Sequence, residues 1–139
     1  MRKLLLLAFL AAAPFAHAAG EAITVYKSAS CGCCGGWIEH MRAAGYRVKA
    51  VDLDAAGMEK VKQTYKVPEG LGSCHTAVVD KTGQVIEGHV PAKAVAKLLA
   101  SPRTKGVAAP GMPMNSPGMG QMDGKLVTVD FNGKPFSKD

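Results

Sequence analysis

The sequence predicts an α/β fold. Three observations carry this expectation. Strand-like and helix-like periods alternate in the order β-α-β-α-β-β-α, and a cysteine cluster separates the first strand from the first helix. The composition also suits one small domain: of 139 residues, 47% are hydrophobic and 20% charged. That mixture excludes a disordered acidic or basic tail protein.

The opening residues stand apart from the domain. Arg2 and Lys3 make a basic start, Leu4 to Pro14 an apolar run, and Ala16-His17-Ala18 an A-x-A cleavage site. Residues 1–18 are therefore expected to be a secretory signal peptide, with the mature, exported chain starting near Ala19. The apolar run is too short to span a bilayer, and no later run is long enough for a transmembrane helix. Removing Arg2 and Lys3 lowers the formal charge from +6 to +4. So diffuse a charge, without a basic cluster, does not imply nucleic acid, and no nucleic-acid partner is expected.

The elements follow in order. Ala22 to Lys27 (AITVYK) is a β-branched run that reads as a strand. From Gly35 the pattern turns helical, with Trp37, Ile38, Met41 and Ala44 at spacings of three and four and Gly45 as a stop. Tyr46 to Asp52 alternates apolar and polar residues and predicts a second strand; a short helix is expected over Gly57 to Tyr65, ended by Val67-Pro68. Cys74 to Val79 and Gln84 to His89 read as two strands joined by the turn Asp80 to Gly83. Pro91 to Ala100 predicts a helix with proline in its first turn. This order, with a cysteine motif at the first strand-to-helix junction, is that of a thioredoxin-like single domain, expected over residues 19–105.

Residues 106–139 are expected to form a Gly/Pro/Met-rich arm and a C-terminal strand. Gly106 to Gly124 contains Met112, Met114, Met119 and Met122 among glycines and prolines, and is read as irregular. Leu126 to Phe131 is the last predicted strand, before Asn132-Gly133 and a polar end.

The four cysteines are Cys31, Cys33, Cys34 and Cys74. In an oxidising compartment, two structural disulfides are the plain expectation. Three of the four lie within four residues, however, and stapling a fold needs longer loops between partners. The cluster suits chemistry better. Sulfurs at a helix N-terminus face unpaired N–H groups and the positive end of the macrodipole, which favours thiolates, and thiolates are both nucleophiles and metal ligands. Gly32, Gly35 and Gly36 remove bulk around the sulfurs. In a thioredoxin-like domain the residue that starts the third strand faces the C-x-x-C, usually beside a cis-proline. Here that stretch is Ser73-Cys74-His75-Thr76, with no proline and two potential ligands. Soft donors of this kind select Cu(I), Zn(II) or iron–sulfur clusters. Zinc prefers four separate, well-spaced ligands. Adjacent Cys33 and Cys34 suit several bridged Cu(I) ions instead, so copper is the expected metal and zinc the alternative.

Three histidines and the arm's methionines are further potential donors beside the sulfurs. His40 lies within the first helix and is read as a surface residue. His75 follows Cys74 directly; alternation would send it to the opposite face, but that rule is weak at a strand's first residue. His89 ends a strand, where a ligand and a carbonyl-bonded structural imidazole are both consistent with its setting. Met112, Met114 and Met119 carry thioethers, which bind Cu(I) without deprotonation, although methionine also serves as apolar filler. Trp37 is read as a core anchor. Asp52 and Asp54 receive no role.

Together these motifs resemble the CopG-type periplasmic copper-resistance proteins. The likeness rests on Cys31-Gly32-Cys33-Cys34 with Trp37, Ser73-Cys74-His75-Thr76-Ala77, Glu87-Gly88-His89-Val90-Pro91, Pro110-Gly111-Met112-Pro113 and Ser116-Pro117-Gly118-Met119. It runs from about Ile23 to Met119. The resemblance implies a thioredoxin-like fold, a cysteine-bridged polynuclear copper cluster on Cys31, Cys33, Cys34 and Cys74, and a periplasmic role in surviving copper excess. The histidines and methionines transfer less securely, and the tail after Gly120 has no counterpart. Sequestration of Cu(I), with redox cycling as an extension, is the leading function. A thiol–disulfide oxidoreductase using Cys31 and Cys34 is the rival, and a chaperone passing copper to an efflux system through the methionine arm is the third reading.

Overall fold

The β-branched run Ala22–Lys27 forms strand β1 inside a sheet, in a computed structural model that describes residues 20–139. The expected signal peptide over residues 1–18 lies outside the described residues. Ile23 and Val25 of β1 are fully buried, and both put apolar side chains on the same face, as a period of two requires.

Helix α1 (Gly32–Ala43) returns the chain to strand β2 (Arg47–Asp52), which lies parallel to β1. Helix α2 (Ala55–Thr64) leads to strand β3 (His75–Val79), antiparallel to β1, and then to strand β4 (Val85–Gly88), antiparallel to β3. Helix α3 (Ala92–Leu99) follows. The order β2-β1-β3-β4 with three helices is the expected thioredoxin-like arrangement. Three further strands extend the same sheet: β5 (Gly106–Ala109), parallel to β4, then β6 (Val127–Asp130) and β7 (Pro135–Lys138), each antiparallel to its predecessor.

Two of these strands correct the sequence reading. Gly106 to Ala109, taken as the start of an irregular arm, is a strand buried along its whole length. Its first residue is small because an aromatic ring lies against it. A Cβ on Gly106 would stand 2.6 Å from the Phe131 ring. Pro135 to Lys138, taken as a polar end, is an edge strand, where proline is tolerated because its missing N–H faces outward.

Helix boundaries moved for local reasons. Helix α1 starts at Gly32 with Cys31 as N-cap, not at Gly35, so Cys33 and Cys34 belong to its first turn. Its buried stripe is Cys34, Trp37, Ile38 and Met41, while Ala44 is an exposed C-cap. Helix α2 starts at Ala55 because the Asp54 carboxylate accepts the Gly57 N–H at 2.8 Å, a capping contact worth about 1 kcal/mol. Asp52 pairs with Lys27 at 2.7 Å. His40, read as a surface residue, is half-buried and accepts the Ala92 N–H through Nε2 at 3.0 Å, serving the first turn of α3.

The core lies between the sheet and α1 and α3. Trp37, Met41, Val95, Leu98, Ile86 and Val107 are all fully buried in it. Trp37 anchors this core, as expected. No helix among the described residues is long and apolar enough to cross a membrane.

Candidate metal centre

Two chain segments meet at the start of α1. The first is the β1–α1 junction, which carries Cys31, Cys33 and Cys34. The second is the bend ahead of β3, which carries Cys74. All four sulfurs lie within 4.8 Å of one another. Cys31 and Cys34 are joined as a disulfide, whereas Cys33 and Cys74 are free and half-buried. Cys33 Sγ is 3.6 Å from Cys31 Sγ. The pair that bonds is the C-x-x-C itself, and the remaining two sulfurs stay unpaired beside it.

A second group shares Cys74. The sulfur of Cys74 and ring nitrogens of His75 and His89 also lie within 4.8 Å of one another. Cys74 Sγ is 3.1 Å from His89 Nε2 and 3.5 Å from His75 Nδ1. Alternation does not separate Cys74 from His75, because β3 begins only at His75 and Cys74 sits in the preceding bend. His89 arrives through a kink in β4. Gly88 has φ +73°, and a Cβ there would meet Ser73 Cβ at 2.7 Å, so only glycine turns the strand here without strain.

The imidazoles are buried and held neutral. Burial, with the nearby His89 and the Lys62 charge, lowers the His75 pKa to about 3. Burial also lowers His89, partly offset by the Pro117 carbonyl. That carbonyl accepts from His89 Nδ1 at 2.6 Å. A carbonyl only accepts, so Nδ1 carries the proton and Nε2 presents its lone pair to Cys74. Cys74 itself is pushed up to about 11, by burial first and by Cys33 second, and so carries its proton at neutral pH. Its S–H donates to His89 Nε2. The His75 ring packs against Trp37 at 4.5 Å between centroids, and among the described residues the buried His75 Nε2 has no hydrogen-bond partner.

Behind the site stands a buried carboxylate that the sequence reading passed over. Glu87 is fully buried and pairs with Lys62 of α2. It also accepts the Ser73 N–H at 2.7 Å and the Thr76 hydroxyl at 2.6 Å. These bonds hold the Ser73 backbone on one side of Cys74 and His75 and the Thr76 side chain on the other. A lysine on a polar helix and a glutamate on an otherwise apolar strand were the only sequence signals of this pair.

The methionines differ from the cysteines in setting. Met112 and Met114 are 37% and 68% exposed, and Met119 is half-buried. All three lie on the segment that brings Pro117 to His89. The glycines also sort themselves: an added Cβ meets nothing within 4 Å at Gly32 or Gly35, and only Gly36 has its space taken, by Gly118.

Two solved structures share this architecture. "Copper resistance protein copG", form 1, is 38% identical, with a TM-score of 0.74, 86% of this chain covered and 98% of that one. The chain belongs to the CopG family. Form 2 of the same protein gives 39% identity, a TM-score of 0.72 and the same coverage. Residues 71–119, which carry Cys74, both site histidines and most of the arm, also match the family described as "Protein of unknown function, DUF411". A search of the curated proteins finds no match. Within this CopG-family chain, the family-model match ends at Met119, whereas the likeness to the solved structures covers 86% of the chain.

Proposed function

We propose that the protein binds Cu(I) in a cysteine-thiolate cluster as part of copper resistance, and that it does so in the periplasm. Cys31, Cys33, Cys34 and Cys74 supply the bridging sulfurs, and His75 and His89 complete the donor set. The observation that carries this reading is the gathering of four sulfurs within 4.8 Å, from segments forty residues apart. The names of both structural relatives support copper as the metal. So does the chemistry: soft thiolates favour Cu(I), and adjacent Cys33 and Cys34 suit bridging better than tetrahedral zinc. Two neutral imidazoles need no deprotonation to ligate. The buried His75 Nε2 without a partner shows polar capacity that the folded chain leaves unused. Imidazole also tolerates Cu(II), so cycling between the two oxidation states is the redox extension of this reading. Met112, Met114 and Met119 are assigned as thioether donors at the approach to the cluster, where copper passes to or from an efflux or chaperone protein.

Anaerobic copper titration of the reduced protein, with elemental analysis and X-ray absorption at the metal edge, tests the proposal. Short Cu–Cu vectors with sulfur scattering are expected, together with a sharply lower copper:protein ratio in Cys74→Ser. A single zinc with four sulfurs, or unchanged copper binding in Cys74→Ser, would overturn it.

A second reading has one observation of its own. The Cys31–Cys34 disulfide at the start of α1 has the placement of an exchange centre, and supports a thiol–disulfide oxidoreductase. Against it, free Cys33 and Cys74 crowd the same sulfurs and would divert exchange. Efficient insulin reduction by metal-free protein, lost in Cys34→Ser, would favour this reading.

A further inference from the structure

The segment from Pro113 to Gly120 does more than trail from the domain. It folds as a tight turn, with the Ser116 N–H bonded to the Pro113 carbonyl at 3.0 Å and the Met119 N–H to the Ser116 carbonyl at 3.1 Å. Ser116 is fully buried, in a stretch whose composition alone reads as irregular. The turn rests on the first turns of α1. Gly118 adopts φ +88°, and a Cβ there would stand 2.6 Å from Trp37 N and 2.7 Å from Cys33 O. From the other side, a Cβ on Gly36 would meet Gly118 Cα at 2.9 Å. Backbone thus touches backbone through two glycines, next to the cysteines. One residue before Gly118, the Pro117 carbonyl accepts a hydrogen bond from His89 Nδ1 at 2.6 Å.

We propose that this turn is a working part of the metal site, with Gly36 and Gly118 as its positioning residues. Their contact holds the Pro117 carbonyl against His89, which fixes the ring with the Nε2 lone pair aimed at Cys74. Outer partners of this kind orient a ligating imidazole and raise its basicity, and their loss weakens metal retention about 10- to 100-fold. The turn also covers the helix end that carries Cys33, so lifting it opens the cluster to exchange. This inference rests on the copper-binding reading for its metal, but not for its geometry.

Long-range nitrogen NMR of reduced, metal-free protein reads the ring directly. His89 is expected as the Nδ1–H tautomer in the wild type, and as a mixture in Gly36→Ala. Alanine is the better helix former, so a defect in that variant reports the displaced turn and not a weakened α1. Gly35→Ala, where the new methyl meets nothing, is the control and should keep the wild-type spectrum. In Cu(I)-loaded protein, extraction by bathocuproine disulfonate should be about tenfold faster in Gly36→Ala and Gly118→Ala, with the copper:protein ratio unchanged. An Nε2–H tautomer in the wild type, or a wild-type extraction rate in Gly36→Ala, would overturn the inference while leaving the cluster intact. If the wild type takes up no copper, the copper-binding reading fails, and the tautomer and its shift in Gly36→Ala still decide this one.

Discussion

Trp37 donates its indole N–H to the Val90 carbonyl at 2.8 Å, and so ties the helix of Cys33 and Cys34 to the turn that delivers His89. Both residues are fully buried. The bond crosses from one wall of the candidate site to the other, and the same indole ring packs on His75. Replacing Trp37 with phenylalanine keeps an apolar ring but leaves the buried Val90 carbonyl without its donor, at a cost of about 1–3 kcal/mol. The smaller ring adds a packing loss. Urea unfolding of the metal-free protein should show this decrease; a change below about 0.5 kcal/mol, the range of neutral surface substitutions, would mean the two walls are held by other contacts.

The disulfide sets the condition for loading. With Cys31 and Cys34 paired, a denatured but unreduced sample should titrate two thiols per chain, from Cys33 and Cys74. A phosphine reductant supplies two electrons to the S–S bond and takes oxygen from water to become phosphine oxide, while water's two protons go to the released sulfurs. Four thiols should then titrate. Copper uptake measured anaerobically should rise after reduction, because the four-sulfur set becomes available only then. Equal uptake before and after would confine binding to Cys33, Cys74 and the imidazoles.

The β-branched run at Ala22, the C-x-x-C at a helix start and Cys74 as the first residue of the third strand put the four sulfurs in one place on sequence grounds, and they lie within 4.8 Å of one another, because strand period and junction chemistry are local properties. His75 and His89 stayed open on sequence grounds: whether Cys74 and His75 diverge depends on where β3 begins, a boundary of a single residue. Strand β5 escaped notice since Gly106, Ala108 and Ala109 have little strand propensity, and at Gly106 the Phe131 ring takes the space of a side chain. The Pro117 carbonyl left no trace at all. Backbone groups have no residue signature, and this one acts only because Gly118 and Gly36 let two chain segments touch.

Acid should weaken the fold through His75. Its folded pKa of about 3 lies below the unfolded value of 6.5. Below pH 6.5 the unfolded chain binds a proton that the native state refuses, so stability falls as pH drops from about 6.5 toward 3. One such proton gives a slope of up to about 1.4 kcal/mol per pH unit, and His89, also lowered by burial, adds in the same direction. Urea unfolding of metal-free wild type and His75→Gln at pH 7, 6 and 5 should show a shallower pH dependence in the variant. Parallel curves would place the acid sensitivity in other groups.

The buried pair of Lys62 and Glu87 should matter most when only half of it is removed. Lys62→Met leaves a fully buried carboxylate with no cation, and breaking such pairs costs about 3–5 kcal/mol. Glu87 cannot escape the problem by moving outward, because Ser73 N–H and the Thr76 hydroxyl hold it in place. Combining Lys62→Met with Glu87→Gln removes the stranded charge, and the glutamine oxygen still accepts the Ser73 N–H. The double variant is therefore expected to recover at least half of the loss in a double-mutant cycle. Recovery would show that charge balance, and not lysine packing, stabilises the backbone around Cys74. A double variant as unstable as Lys62→Met alone would assign the cost to the lysine's contacts with α2 and β3 instead.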